Sequence, residues 1–377
     1  MHGAAAVGSR APRPPRSPAV RVVVVTDGLA VVSSSAVAAS VADGWREVRP
    51  ADELVLRPLS DGGRDLLDVL APDVTTRRTT EVAGPQGHPL DANWALRDDG
   101  TAVVDATAAC GRDLLPPERR TPRLATSYGV GQLLDAARDA GARRILVGGG
   151  APASVDGGAG ALSGLGFRLT VADGSGLKIG GDDLGRVAAA GSGWSADWHD
   201  VEVVLLTDRT TVLGDTARRA GPGAGAAADE LDAVAAALTA WAQVAERDLA
   251  ARGWRDEPGS GDLGGVPFGL ACALPRVRLV DGTEEVAAQV GLDADLAGAD
   301  LVVVAGARHA PDGAIADRVL GHVVDAASAS GVPVVAVTAH EPRDARLRDA
   351  EVVAVATESA DLDVFGVAAA RLARRHG

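Results

Sequence analysis

Short runs of β-branched and apolar residues, several followed by an amphipathic stretch, constrain this chain most. Arg21–Val25, Leu54–Leu56, Ala102–Val104, Arg144–Val147, Val203–Leu206, Leu301–Val304 and Val334–Val337 read as strands. Ser35–Arg49, Gln132–Ala140, Asp229–Ala251 and Ala314–Ser330 read as helices. Strands without polar alternation are buried on both faces, so the pattern predicts an α/β fold with a largely parallel sheet and helices on its faces. Breaks rich in Pro and Gly fall at Gly84–Pro89, Leu115–Pro122, Gly221–Gly225 and Glu257–Gly265.

A chain of 377 residues favours two domains, and 46% hydrophobic content is enough for both cores. Aromatics make up only 3%, so those cores rest on Val, Leu and Ala. The formal charge of -14 argues against a nucleic-acid-binding surface. No apolar run reaches the roughly 18 residues that span a bilayer. Cys110 and Cys272 form no C-x-x-C pair, which suits a reducing, cytoplasmic setting with both thiols buried and inert. Residues 1–20 are rich in Pro, Arg and Ala and read as a disordered arm.

In open α/β sheets ligands bind beyond the carboxyl ends of the strands. Asp27 and Asp208 follow their strands at once, Asp61 follows within a few residues, and Asp156 comes after the Gly148-Gly149-Gly150 turn. Each alone is as well explained as a turn or cap residue; four at strand ends predict one shared crevice. Asp61-Gly62-Gly63 and Asp156-Gly157-Gly158 add Gly-rich turns, whose backbone N–H groups can approach an anion. Lys178 is the only lysine, so Arg must supply almost every cation. Gly259-Ser260-Gly261-Asp262-Leu263-Gly264 matches G-x-G-x-x-G, but no strand leads into it. It reads instead as a loop lining the cleft.

These motifs, in this order, resemble the glycerate kinase family, bacterial enzymes that phosphorylate D-glycerate with ATP. The family's P-L-A-D-G-G-E-G-T is similar to Pro58-Leu59-Ser60-Asp61-Gly62-Gly63-Arg64-Asp65-Leu66. Its T-Y-G-V-G-E resembles Ser127-Tyr128-Gly129-Val130-Gly131-Gln132, and its G-G-S-A-T-N-D-G-G-A-G resembles 150–160. The resemblance implies a two-domain fold: a Rossmann-like parallel-sheet domain from 21–70 and 290–377, and an inserted α/β domain from 71–289. It implies ATP and Mg²⁺ as cofactors and a small hydroxy acid such as D-glycerate as substrate. Asp27, Asp61, Asp156, Asp208 and Arg308 become the candidate catalytic residues. Gly62, Gly63, Gly129, Gly131, Gly157 and Gly158 become the candidate phosphate-cradling positions, and no metal ligand is assigned.

The departures from the family pattern are mostly lost charges. The family's first lysine is Ala30, and a second falls at Ala224. The glutamate after Asp-Gly-Gly is Arg64, and the asparagine before the second Asp-Gly-Gly is Val155. The late T-G-E-G-R-L-D motif keeps only Arg308, beside His309, and a further lysine falls near Asp317. Phosphoryl transfer depends on positioning and charge neutralisation, so these losses predict weak, altered or lost kinase activity. The alternative is a catalytically inactive paralogue that binds a small acid or nucleotide as a sensor or partner protein. Arg64 and Arg209 are new cations that could hold an anion.

Overall fold

The computed structural model describes residues 18–28, 32–178, 180–249, 253–307, 318–338, 351–354 and 362–376. Ala30, Arg308, His309 and Asp317 lie outside them. Strands β1 (Arg21–Thr26), β2 (Glu53–Pro58), β3 (Arg77–Ala83), β4 (Pro89–Leu96), β5 (Thr101–Asp105) and β6 (Arg144–Gly148) come first. Strands β7 (Arg168–Val171), β8 (Val187–Gly191), β9 (Glu202–Thr207) and β10 (Val277–Asp281) follow. Strands β11 (Leu301–Ala307), β12 (Val334–Thr338) and β13 (Glu351–Ala354) close the series.

They build two main sheets, not one. The first has the order β13-β12-β11-β1-β2 and is parallel throughout. The second has the order β10-β9-β6-β5-β4-β3; its first four strands are parallel, and β3 and β4 form an antiparallel hairpin at one edge. A separate ribbon pairs β7 with β8. The α/β class is as the sequence predicts, and the Gly84–Pro89 break is the turn of the β3–β4 hairpin. Those two edge strands escape the sequence pattern because Thr79, Thr80, Asp91 and Asn93 interrupt their apolar positions.

The pleat of each strand divides its side chains between two cores. Val22 and Val24 of β1 pack toward helices Ser34–Val48 and Asp363–Arg375 on one face. Val23 and Val25 face the other way, into a core shared with Val103, Leu146, Val204 and Leu206 of the second sheet. Helices Leu66–Leu70, Gly282–Val290, Leu292–Leu296 and Arg318–Ala329 fill that middle layer. The outward side chains of the second sheet, among them Val104, Ile145, Val147, Val203 and Leu205, pack under helices Tyr128–Asp139, Ala159–Gly164, Leu231–Asp248 and Val266–Ala273. The order of layers is therefore helix, sheet, helix, sheet, helix, with one apolar layer common to both sheets. Among the described residues no helix is long and apolar enough to cross a membrane.

Candidate active site

The carboxyl ends of the two sheets meet. The turn after β2 carries Asp61, whose Oδ1 accepts from the Gly63 amide at 2.9 Å. The Gly62 carbonyl accepts from the Gly149 amide at 2.7 Å, just beyond β6. Gly62 has φ 94°, and a Cβ there would stand 2.8 Å from Cβ of Leu206 in β9. Only glycine fits that conformation and that gap. The Asp-Gly-Gly turn is thus a wedge between the sheets. Its Gly62 amide is engaged by Ser60 Oγ at 3.2 Å and its Gly63 amide by Asp61, which leaves neither donor open. The Asp61 side is exposed.

Asp27 follows β1. Its amide donates to the Ala305 carbonyl, and its Oδ1 accepts from the Gly28 amide at 2.8 Å. Beside it stands Asp65, in the left-handed region at φ 62°. Asp65 Oδ2 accepts from the Ser34 amide at the start of helix Ser34–Val48, at 2.7 Å, and an added Cβ at Gly28 would fall 2.3 Å from that oxygen. The motif that lost its glutamate at Arg64 therefore has a carboxylate one residue later, at the place of the family's glycine.

Asp208 follows β9 and closes a tight turn. Its Oδ1 accepts from the amides of Thr210 (2.7 Å) and Thr211 (3.1 Å), and Oδ2 meets Thr211 Oγ1 at 3.2 Å. Burial raises its pKa, but these hydrogen bonds outweigh it and hold the carboxyl below the ordinary range. Asp262 lies against it: Asp262 Oδ2 accepts from the Asp208 amide at 2.6 Å. Burial, reinforced by the negative charge of Asp208, pushes the Asp262 carboxyl up to about 7.

Across the crevice, Arg318 opens helix Arg318–Ala329 of the middle layer. Its Nη1 donates to the Asp208 carbonyl at 2.5 Å, and its Nη2 pairs with Asp281 Oδ2 at the end of β10. Asp281 Oδ1 meanwhile caps helix Gly282–Val290 through the Thr283 and Glu284 amides. Asp105 ends β5; burial raises its carboxyl, with Thr107 and the charge of Arg64 pulling the other way. Arg64 itself is exposed. The crevice thus gathers Asp61, Arg64, Asp105, Asp208, Asp262, Asp281 and Arg318, with Asp27 and Asp65 beside helix Ser34–Val48.

The other half of the predicted set sits elsewhere. Asp156 is 3% exposed, and its carboxylate accepts from Ser127 N and Oγ and from the amides of Gly158 and Gly160. Gly129 and Gly131 lie under close backbone contacts: an added Cβ would stand 2.2 Å from the Ala83 carbonyl and 2.1 Å from the Ala161 carbonyl. The Gly157 amide bonds the Gly264 carbonyl at 2.9 Å, and a Cβ at Gly158 would meet the Val266 carbonyl at 2.9 Å. Arg209 Nη1 is spent on Glu257 and the Pro258 and Leu279 carbonyls. Lys178 is exposed beside Tyr128 and Ser163, on the connection from β7 to β8. Burial raises both thiols, that of Cys272 to about 12, so neither is a nucleophile near neutrality.

Several crevice residues were within reach of sequence reasoning. Thr101–Asp105 and Val277–Asp281 end in aspartate after an apolar run, the same signal that picks out Asp27 and Asp208. Arg318 lies one residue beyond the position where the family's late lysine falls. Asp262 sits in the Gly-rich loop, which does border the crevice and does lead into a helix, Val266–Ala273.

A family model described as the glycerate kinase family matches residues 22–371. The chain is 33% identical to the glycerate kinase of Bacillus subtilis over 321 residues, 83% of each protein. It is 32% identical to the glycerate 2-kinase of Escherichia coli, over 72% of each protein. A crystal structure from Salmonella typhimurium LT2, assigned as glycerate kinase 2, matches with a TM-score of 0.83 at 29% identity, covering 95% of this chain and 98% of that one. With both sheets and the crevice between them inside these matches, the chain belongs to the glycerate kinase family.

Proposed function

We propose that the chain transfers the γ-phosphoryl group of ATP to a hydroxyl of a small hydroxy acid of the D-glycerate class, using a charge set rebuilt from positions beside the family's motifs. The observation that carries this reading is Arg318, which brings a guanidinium to the Asp208 carbonyl and the Asp281 carboxylate at the mouth of the crevice. A fixed guanidinium there suits phosphate oxygens, which Arg binds in a planar fork. Asp65 restores an acid next to Arg64 in the same spirit. The activity is accordingly altered, not lost.

Mg²⁺ demands one or two carboxylates and takes its remaining ligands from water and phosphate. Asp61 fits that role: it is exposed, and the bond from the Gly63 amide to Oδ1 leaves acceptor capacity on its carboxylate. The ion would supply neutralisation of charge on the transferring phosphoryl group. The middle-layer helix at Arg318 orients the phosphates, and Arg64 faces the carboxylate of the acid. Asp156 and Gly129, Gly131, Gly157 and Gly158 hold the second sheet's loops in shape. The acidic chain, with free buried thiols, belongs in the cytoplasm.

The test is ADP release by the purified chain with Mg²⁺-ATP and a panel of hydroxy acids, D-glycerate first. ADP that appears only when an acid is present supports the kinase; ligand heat by calorimetry without ADP would support a sensor. Arg64→Ala is expected to raise KM for the acid about tenfold, on the order of 1.4 kcal/mol, with kcat little changed. An unchanged KM would remove Arg64 from the acid's binding site.

A further inference from the structure

The Gly-rich loop 259–265 is the part of the crevice that the family resemblance leaves without a chemical role. Its path is forced. Leu263, Gly264 and Gly265 are all left-handed, at φ 50°, 70° and 88°. A Cβ at Gly264 would stand 2.0 Å from the Ser154 carbonyl, and one at Gly259 would stand 2.4 Å from Thr207 Oγ1. A bulky residue in the left-handed region is costly and persists only where surrounding contacts fix it. Leu263 is buried, its Cδ2 2.8 Å from where a Cβ on Gly149 would lie. Gly149 in turn bonds the Gly62 carbonyl in the Asp61 turn. The loop therefore holds Asp262 against the end of β9, with Leu263 packed toward the wedge that carries Asp61.

We infer that Asp262 is the general base that takes the proton from the acceptor hydroxyl. This rests on the kinase reading above. As the hydroxyl oxygen forms its bond to the γ-phosphorus, the bond from that phosphorus to the β,γ-bridging oxygen breaks and ADP leaves. The hydroxyl proton passes to Asp262, so charge and atoms balance within acid, nucleotide and side chain. Asp208 is poorly suited to that role, because its own turn already saturates its carboxylate with donors. Asp262 lacks the pair of turn amides that hold Asp208 charged: it accepts from one amide, that of Asp208, and shares the Thr211 hydroxyl and the Asp208 carboxyl.

The charges around Asp262 are consistent with this division. Asp208 faces it from the end of β9, with the Thr211 hydroxyl between them. Arg219 reaches Asp208 only at 3.4 Å, and Arg318 turns Nη1 to the Asp208 carbonyl and Nη2 to Asp281, not to Asp262. Arg209 is turned to Glu257. No cation is bonded to Asp262 itself among the described residues, so burial and Asp208 dominate, and two neighbouring carboxyls are pushed apart in acidity. A base with a midpoint near the working pH is the efficient one.

Below about 7 the Asp262 carboxyl carries its proton and cannot accept another, so kcat/KM of the wild type should rise with pH through that value. Asp262→Asn should lower kcat by roughly a hundredfold or more and flatten that limb. A structural role would not flatten it. The folded-state pKa is raised above the unfolded 3.8, so the carboxyl stabilises the fold best at low pH, and that contribution is lost as pH rises through about 7. Asp262→Asn should therefore melt at an equal or higher temperature than wild type at pH 8. Wild-type turnover with a full-rate Asp262→Asn enzyme, or a limb that survives in the variant, overturns the assignment alone. A variant that loses activity and melting temperature together overturns it as well, in favour of a structural residue. Absence of wild-type turnover with every acid overturns this inference and the kinase reading with it.

Discussion

Arg318→Ala is expected to cost about 10²–10³ in kcat/KM, the usual loss when one fixed electrostatic group leaves a phosphoryl-transfer site. The guanidinium opens the middle-layer helix Arg318–Ala329 and reaches the ends of β9 and β10 at once. Removing it takes away the cation while the fold's own supports remain. Asp281 keeps its cap on helix Gly282–Val290 through Oδ1, and Val319, Leu320 and Val323 stay packed in the middle layer. The melting temperature should therefore move by no more than a few degrees. Arg318→Lys should recover part of the loss, since a point charge replaces a planar fork. Steady-state kinetics at several Mg²⁺-ATP concentrations check this, and wild-type kcat/KM in the alanine variant would rule out a role in catalysis.

Asp156→Ala is the second large effect, and it falls on stability. The carboxylate sits in a buried socket with donors from Ser127, Gly158 and Gly160. Taking it out leaves the Ser127, Gly158 and Gly160 amides without their acceptor, and each buried donor left unsatisfied costs roughly 1–3 kcal/mol. Asn is a poorer remedy than its shape suggests, because its amide end would place a donor where the socket offers donors. Urea unfolding should show a lowered midpoint with an unchanged slope. At temperatures where the variant is still folded, kcat should stay within a fewfold of wild type. A fall in kcat of a hundredfold at unchanged stability would return Asp156 to the catalytic set, where its Asp-Gly-Gly motif first suggested it.

The contrast between Asp156 and Asp262 shows what a sequence can and cannot reveal here. β1, β5, β6, β9, β11 and β12 are readable because both faces of each are buried, so their residues run as unbroken apolar stretches. The β3–β4 hairpin is not, since its exposed face carries Thr, Asp and Asn. Helix Tyr128–Asp139 begins four residues before the expected Gln132, because Gly129 and Gly131 read as loop residues while serving as contact points for neighbouring backbone. Of the strand-end aspartates, Asp61 and Asp208 do reach the meeting of the two sheets, while Asp27 stands beside helix Ser34–Val48. Asp156 shares their spelling but lies eight residues past its strand, far enough for the chain to carry it into a packed interior. Asp262 and Arg318 have the opposite history. Neither stands at a strand end, and each acquires its neighbours only when the loop after Gly259 and the middle helical layer close over β9.

Charge placement follows the same logic. Losses at Ala30, Arg64 and Ala224 look like erosion along the chain, and Ala224 is indeed fully buried in the outer core. In three dimensions a guanidinium and a carboxylate, Arg318 and Asp262, stand at the end of β9 from other positions, and Asp65 sets a further carboxylate at the start of helix Ser34–Val48. Function at such a site depends on where charges sit around the transferring group, and not on which residue number supplies them.

The most direct measurement is mass spectrometry of the acid after incubation of the purified chain with Mg²⁺-ATP and D-glycerate or a related hydroxy acid. A phosphate ester of the acid, formed in step with ADP and absent when Mg²⁺ is removed, is the predicted result. An acid recovered unchanged from every incubation, despite calorimetric binding, would contradict the rebuilt site and leave a chain that holds its ligands without transferring a phosphoryl group.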